Sequence, residues 1–209
     1  MLYYESIEAP TLELLISLSQ INIFKDLRLV GGTSLALQIG HRKSVDLDLF
    51  GALTADEYAV SKALNKIGTV TILKKTSNIS VYLINGIKVD IVNYPYPWLN
   101  EVKLIDNLRL ADISDIAAMK LSAITGRGTR KDFIDLYFLL RDLSLEEMVR
   151  YYNKKYADGS EFMVLKSLTY FSDADSEEDP YMIKPIQWDK VKDTINKAVD
   201  RNLRKYGKE

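Results

Sequence analysis

Two glycines and two carboxylates are the residues of this chain best suited to chemistry. Gly31-Gly32-Thr33-Ser34-Leu35-Ala36-Leu37 is followed closely by Arg42-Lys43-Ser44-Val45-Asp46-Leu47-Asp48-Leu49-Phe50. A glycine pair lets the backbone turn tightly and approach a ligand. The helix predicted over Thr33 to Ile39 would aim its first N–H groups and positive dipole end at that ligand, which suits a phosphate. Val45 to Phe50 alternates as a strand, with Val45, Leu47 and Leu49 on one face and Asp46, Asp48 and Phe50 on the other. Two hard oxygen ligands on one rigid face can hold Mg²⁺ or Mn²⁺ beside bound phosphates. Singly, a Gly-Gly pair is a turn and Asp-x-Asp a solvated strand face. Their ordered combination favours a site.

The rest of the composition narrows the chemistry. With no cysteine, a thiolate metal site, a disulfide framework and a cysteine nucleophile are all excluded. A single histidine, His41, argues against a histidine-rich metal site or a Ser-His-Asp triad, so a metal would be held by carboxylates. A net charge of −1 gives no global pull toward nucleic acid, and a local basic face would have to supply one. No run is apolar enough to cross a bilayer and no leader pattern opens the chain, so a cytoplasmic location without membrane attachment is expected.

The elements that must position these residues fall into two lobes. Residues 1–100 read as an α/β lobe: a helix over Pro10 to Phe24, a short strand Leu27 to Val30, the Gly-Gly turn and its helix, and the Asp46–Asp48 strand. A helix follows over Thr54 to Ile67, with Thr54 and Glu57 as a capping box. Strands at about Thr69 to Lys74, Ile79 to Ile84 and Ile87 to Asn93 complete it, the last two joined by an Asn85-Gly86 hairpin turn. Tyr94 to Leu110, broken by Pro95 and Pro97, reads as the connection. Residues 101–209 read as a helical lobe closing the active-site cleft, with an acidic, solvated loop over Ser172 to Pro180.

Other residues could serve a site. Asp90 lies in an apolar strand with Ile87, Val89 and Ile91 on the opposite face, and needs a partner or a metal unless it faces solvent at an edge. Lys120 and Arg127 share a helix face with small Ala123 between them, either as ligand-binding cations or as ordinary surface charge. Asp132 and Asp135 share another helix face. Tyr94-x-Tyr96 and Tyr151-Tyr152 could stack on bases.

The string from Gly31 to Phe50 resembles the signature of the polymerase-β-like nucleotidyltransferases and, more specifically, the AbiEii/AbiGii toxin family of type IV toxin–antitoxin systems. Lys120-Leu121-x-Ala123-Ile124-x-x-Arg127, Lys131-Asp132-Phe133-x-Asp135-Leu136 and Leu168-Thr169-Tyr170-Phe171-x-Asp173-Ala174 are similar to that family's later motifs, so the resemblance runs from about Leu29 to Trp188. One departure is Thr33, where serine is usual in the wider superfamily; both carry a hydroxyl able to reach a phosphate oxygen. The resemblance implies an α+β fold with a small mixed sheet and a helical C-terminal lobe. It implies transfer of NMP from an NTP, with Mg²⁺ (or Mn²⁺) on Asp46, Asp48 and Asp90. Gly31, Gly32, Thr33, Arg42, Lys120 and Arg127 would contact the nucleotide, and Asp132 would orient Lys120 or the acceptor, with Asp135 structural. Arg127, Arg130 and Lys131, or Arg42 and Lys43, could hold an RNA backbone. The acceptor implied is RNA, at the tRNA 3′ end, with growth arrest or phage defence by abortive infection as the outcome and an antitoxin as partner. A small-molecule acceptor of the antibiotic-modifying kind and a catalytically silent binding module are the alternatives.

Overall fold

Short apolar runs punctuated by glycine and polar turns set the first half of the chain. The structure, a computed structural model, describes residues 1–206. Two compact units result: Met1–Tyr96 with Glu101–Asp112, and Pro97–Asn100 with Ile113 onward.

The first unit is built on one mixed sheet. Its strands are β1 (Leu27–Val30), β2 (Leu47–Gly51), β3 (Val70–Lys75), β4 (Ile79–Ile84), β5 (Ile87–Asn93), β6 (Lys103–Ile105) and β7 (Leu108–Leu110), in the order β3-β4-β5-β2-β1-β7-β6. The pairs β2–β5 and β1–β7 are parallel and the others antiparallel. Helices α1 (Ala9–Gln20), α2 (Gly31–Ile39) and α3 (Glu57–Leu64) belong to this unit. Leu14, Leu15 and Leu18 of α1 join Leu27, Leu29, Leu47, Leu49, Val89 and Ile91 in one core. That core commits alternate residues of β1, β2 and β5 inward and turns the intervening ones to the other face. Asn85 and Gly86 both have positive φ, 50° and 83°, as a two-residue hairpin turn requires.

Three local expectations are corrected. Helix α3 is capped by Asp56, whose side chain accepts from Ala59 N at 2.8 Å, and not by Thr54 with Glu57. Val45 is 59% exposed and joins no buried face, because β2 begins only at Leu47. Part of the expected connection is a hairpin, β6–β7, whose Leu108 and Leu110 are buried; Ala111 N donates to Leu29 O at 3.0 Å, fixing β7 beside β1.

The second unit is helical: α4 (Ile113–Gly126), α5 (Arg130–Leu139), α6 (Leu145–Lys155), α7 (Glu161–Ser167), α8 (Ser172–Asp175) and α9 (Trp188–Tyr206). Ser144 starts α6 with a full capping box to Glu147. Val191, Ile195 and Val199 make a buried stripe along α9 at helical spacing, and α9 packs on α5 and α6. Lys155 and Asp115 form a fully buried ion pair at 2.7 Å. Asp115 also accepts from Leu99 N at 3.0 Å and Lys155 donates to Pro97 O at 2.7 Å, so the pair ties residues 97–100 to the helices. Among the described residues no helix is long and apolar enough to cross a membrane.

Candidate active site

Sheet register assembles the acidic residues. Asp48 pairs directly with Asp90 across the parallel β2–β5 ladder, so the two carboxylates stand side by side on one face. The core-facing residues Leu47 and Leu49 are buried, while Asp46, Asp48 and Phe50 are half-buried on the other side. Asp46 precedes the first residue of β2 and is anchored through its backbone: Thr33 Oγ1 donates to the Asp46 carbonyl and lies 2.8 Å from Ser44 Oγ. Thr33 is 1% exposed, and its hydroxyl braces the segment that leads into the acidic strand.

The glycines are required by close approach. Gly31 has φ +68°, and a Cβ built on it would collide with Asp48 Oδ2. A Cβ on Gly32 would collide with Arg42 Nη2. The first turn of α2, which carries no side-chain cap, is therefore flanked by the Asp48 carboxylate on one side and the buried Arg42 guanidinium on the other. Arg42 is itself steadied by Nη1 donating to Lys43 O at 2.9 Å.

Lys88 is the residue that sequence reasoning missed. Its Nζ lies 2.9 and 3.0 Å from the two Asp90 oxygens. Burial pulls the Lys88 pKa down, but the hydrogen bond to Asp90 and the fields of Asp90, Asp46 and Asp48 outweigh it, and the net shift is upward. The cation thus feels all three acids. The available signal was the Lys88-x-Asp90 spacing, which puts both on one face of a strand. Among the described residues no three His, Cys, Asp or Glu side chains converge into a ready metal cage. Mg²⁺ is characteristically held by one or two carboxylates together with substrate phosphates, and the adjacent Asp48 and Asp90 oxygens are donors of that kind.

The same face carries aromatic rings beyond the acids. Phe50 and Tyr94 have ring centroids 5.3 Å apart, and Tyr94 and Tyr96 5.4 Å, all three half-buried. Tyr152, by contrast, is buried and packs on Tyr156 at 5.1 Å; its expected base-stacking role is replaced by a core role.

In the helical unit Lys120 and Arg130 are engaged by acids, while Lys131 is exposed. Lys120 is 5% exposed, and its Nζ lies 2.9 Å from Asp132 Oδ1 and 2.6 Å from Asp135 Oδ2. Lys120 is thus held between two acids of α5. Asp132 also accepts from Thr129 Oγ1 at 2.6 Å and Arg127 Nε at 3.3 Å. Burial would raise the Asp132 pKa, but Lys120, Thr129 and Arg127 together hold it below the usual carboxylate value. Asp132 therefore orients Lys120, and only Arg127, 64% exposed, presents charge outward from this group. Arg130 Nε donates to Asp179 Oδ1 at 2.7 Å, its backbone N donates to Glu177 Oε2 at 2.8 Å, and its guanidinium stacks over Trp188 at 4.6 Å. Asp175 accepts from Trp188 Nε1 at 2.7 Å and Lys192 Nζ at 3.0 Å. The acidic residues of the stretch 172–180 are exposed, as expected of a solvated segment, but it begins with the short helix α8, and Asp175, Glu177 and Asp179 pair with Trp188, Lys192 and Arg130.

A mixed sheet presenting adjacent acids beside a glycine-started helix, followed by a helical unit, is the polymerase-β-like fold, and the chain is a nucleotidyltransferase. Residues 13–206 match the nucleotidyl transferase AbiEii toxin family of type IV toxin–antitoxin systems, and the chain belongs to that family. A curated relative, the uncharacterized protein aq_aa25 of Aquifex aeolicus, is 35% identical over 189 residues, covering 88% of this chain and 91% of that protein. In fold, the chain is similar to the crystal structure of JHP933 from Helicobacter pylori (TM-score 0.58, 20% identity, 97% of this chain and 96% of that one). It is also similar to MenT4, a nucleotidyltransferase toxin from Mycobacterium tuberculosis (TM-score 0.57, 15% identity, 92% and 84%). The antibiotic-resistance factor ANT(2'')-Ia shares the fold over 76% of this chain and 97% of its own (TM-score 0.54, 14% identity).

Proposed function

We propose that the chain transfers a nucleoside monophosphate from an NTP to a 3′-terminal hydroxyl of RNA, with tRNA as the prime acceptor, and acts as a toxin in the cytoplasm under control of an antitoxin. The observation that carries the reading is the Asp48–Asp90 pair held against the Gly31 turn. The triphosphate lies along the first turn of α2, where the helix N-terminus and the Arg42 guanidinium complement its charge. Asp46, Asp48 and Asp90 would hold Mg²⁺, which when bound neutralises phosphate charge and makes the acceptor hydroxyl more acidic. Asp90 takes the proton of that hydroxyl as its oxygen forms a bond to the α-phosphorus, and the bond from that phosphorus to the bridging oxygen breaks to release pyrophosphate. Lys88 fixes the orientation of Asp90 through both oxygens. In the helical unit Asp132 and Asp135 hold Lys120, and Arg127 is exposed. The protein's contribution is positioning and charge complementarity.

The test is incubation with each α-labelled NTP, Mg²⁺ and total tRNA, followed by a denaturing gel. Label should move with RNA, and Asp48→Ala should abolish the transfer while leaving the fold intact. Full activity in Asp48→Ala would overturn the assignment. Pyrophosphate release with a small-molecule acceptor and none with RNA would favour an activity of the antibiotic-modifying kind.

A further inference from the structure

We infer that Phe50, Tyr94 and Tyr96 form a stacking platform for the terminal base of the acceptor, an inference that rests on the RNA-acceptor reading above. Position is the first argument. Phe50 follows Asp48 by two residues on the same face of β2, so at about 3.3 Å of rise per residue its Cα lies ~7 Å beyond the acid, roughly one ribose away. Tyr94 follows Asp90 by four residues in the neighbouring row, and Tyr94 N donates to Gly51 O at 3.0 Å, which keeps it beside the end of β2.

Direction is the second argument. Strand β1 runs antiparallel to β2 with Val30 opposite Asp48, so Gly31 and Gly32 continue toward the Asp46 end of the face, where Arg42 and Ser44 also lie. The phosphate-complementary groups thus sit at one end of the acid row and the rings at the other. In an in-line displacement the attacking oxygen and the leaving pyrophosphate lie on opposite sides of the α-phosphorus. With pyrophosphate departing toward Gly32 and Arg42, the acceptor enters over Phe50.

The rings themselves fit that role. Their centroids form a continuous row, 5.3 and 5.4 Å apart and tilted by 49° and 60°. They are half-buried, unlike core aromatics such as Tyr82 and Phe133. Arg28 pairs with Phe50 across β1–β2, adding a guanidinium to the same face. Such a platform recognises a π-face and accepts any base. It selects a nucleobase-bearing acceptor over a polycationic sugar.

The experiment compares binding of fluorescein-labelled single-stranded RNA 12-mers that end in either a 3′ base or an abasic ribose, alongside steady-state transfer. The wild-type protein should prefer the base-ended RNA by about tenfold or more. Tyr94→Leu and Phe50→Leu should erase that preference and raise the acceptor KM by a similar factor, with the NTP KM changed less than twofold. Tyr94→Phe should keep the preference, which separates lost stacking from misfolding. RNA extended normally by the wild type without discrimination against the abasic end would overturn the platform alone. So would a rise in NTP KM without one in acceptor KM, which would assign the rings to the incoming base. Failure of the wild type to bind or extend any RNA would overturn the platform and the RNA-acceptor reading together.

Discussion

Gly31→Ala separates backbone strain from site geometry, because the protein supplies its own control. Gly31 and Gly86 both sit in the left-handed region, at φ +68° and +83°. Alanine at either position should cost about 1–2 kcal/mol of backbone strain. Only at Gly31 would the new methyl also meet a residue of the candidate site, at Asp48 Oδ2; at Gly86 a Cβ would meet nothing within 4 Å. Asp48 cannot yield by backbone movement, since its strand is clamped by Val30 on one side and Asp90 on the other. Its carboxylate must rotate, and a misplacement of about 1 Å in such a site costs roughly 10²-fold in rate. Urea unfolding should therefore show similar losses for the two variants. Nucleotidyl transfer, measured as kcat/KM for the NTP at a temperature where both are folded, should fall about a hundredfold in Gly31→Ala and stay within twofold in Gly86→Ala. Equal activity losses in both variants would show that strain alone explains the effect. Undiminished activity in a folded Gly31→Ala would show that the close approach of α2 does not position Asp48.

Lys88→Met removes the cation facing Asp46, Asp48 and Asp90, so Mn²⁺ titrated by electron paramagnetic resonance in the absence of NTP should bind more tightly; unchanged or weaker binding would remove Lys88 from the site's charge balance. Asp132 has a folded pKa below its ordinary 3.8, so its ionised form contributes stability above that value which is lost as pH falls through the folded pKa. Asp132→Asn should accordingly be less stable at neutral pH and lose less on acidification from pH ~5 to pH ~3 than the wild type, as followed by urea midpoints. Lys155→Met strands the fully buried Asp115 without its ion-pair partner and should cost about 3 kcal/mol or more, read from unfolding midpoints, whereas a loss under 1 kcal/mol would show that Leu99 N and Asn100 N alone satisfy the carboxylate.

The acids, glycines and most elements were legible because their signals are local. Asp46 and Asp48 declare themselves by a two-residue spacing, and Gly31-Gly32 by its place before an apolar helix. The β6–β7 hairpin was not legible, since three-residue strands carry no usable period and two prolines just upstream suggested a loop. The Thr54 cap lost to Asp56 by two residues, within the ordinary slippage of helix starts.

The partners of the cations were not legible for a different reason. A cation's availability is set by its partners, and these come from outside its local segment. Lys120 is held by acids 12 and 15 residues on, and Arg130 by Asp179, 49 residues away. A motif can thus mark Lys120 without revealing that Asp132 and Asp135 hold it. Conversely, Lys88 was passed over because its neighbours Asp46 and Asp48 lie at the start of another strand and just before it, and meet it only through the β2–β5 register. The register that places Asp48 beside Asp90 also places Phe50 beside Val92 and brings Tyr94 to the end of β2. One pairing decision, set by burial of Leu47, Leu49, Val89 and Ile91 on the opposite face, therefore aligns the acids, their counter-ion and the aromatic row. A one-residue slip of β5 would turn Lys88 and Asp90 into the core, where neither charge has a partner, and the cost of burying them is what makes this register the stable one.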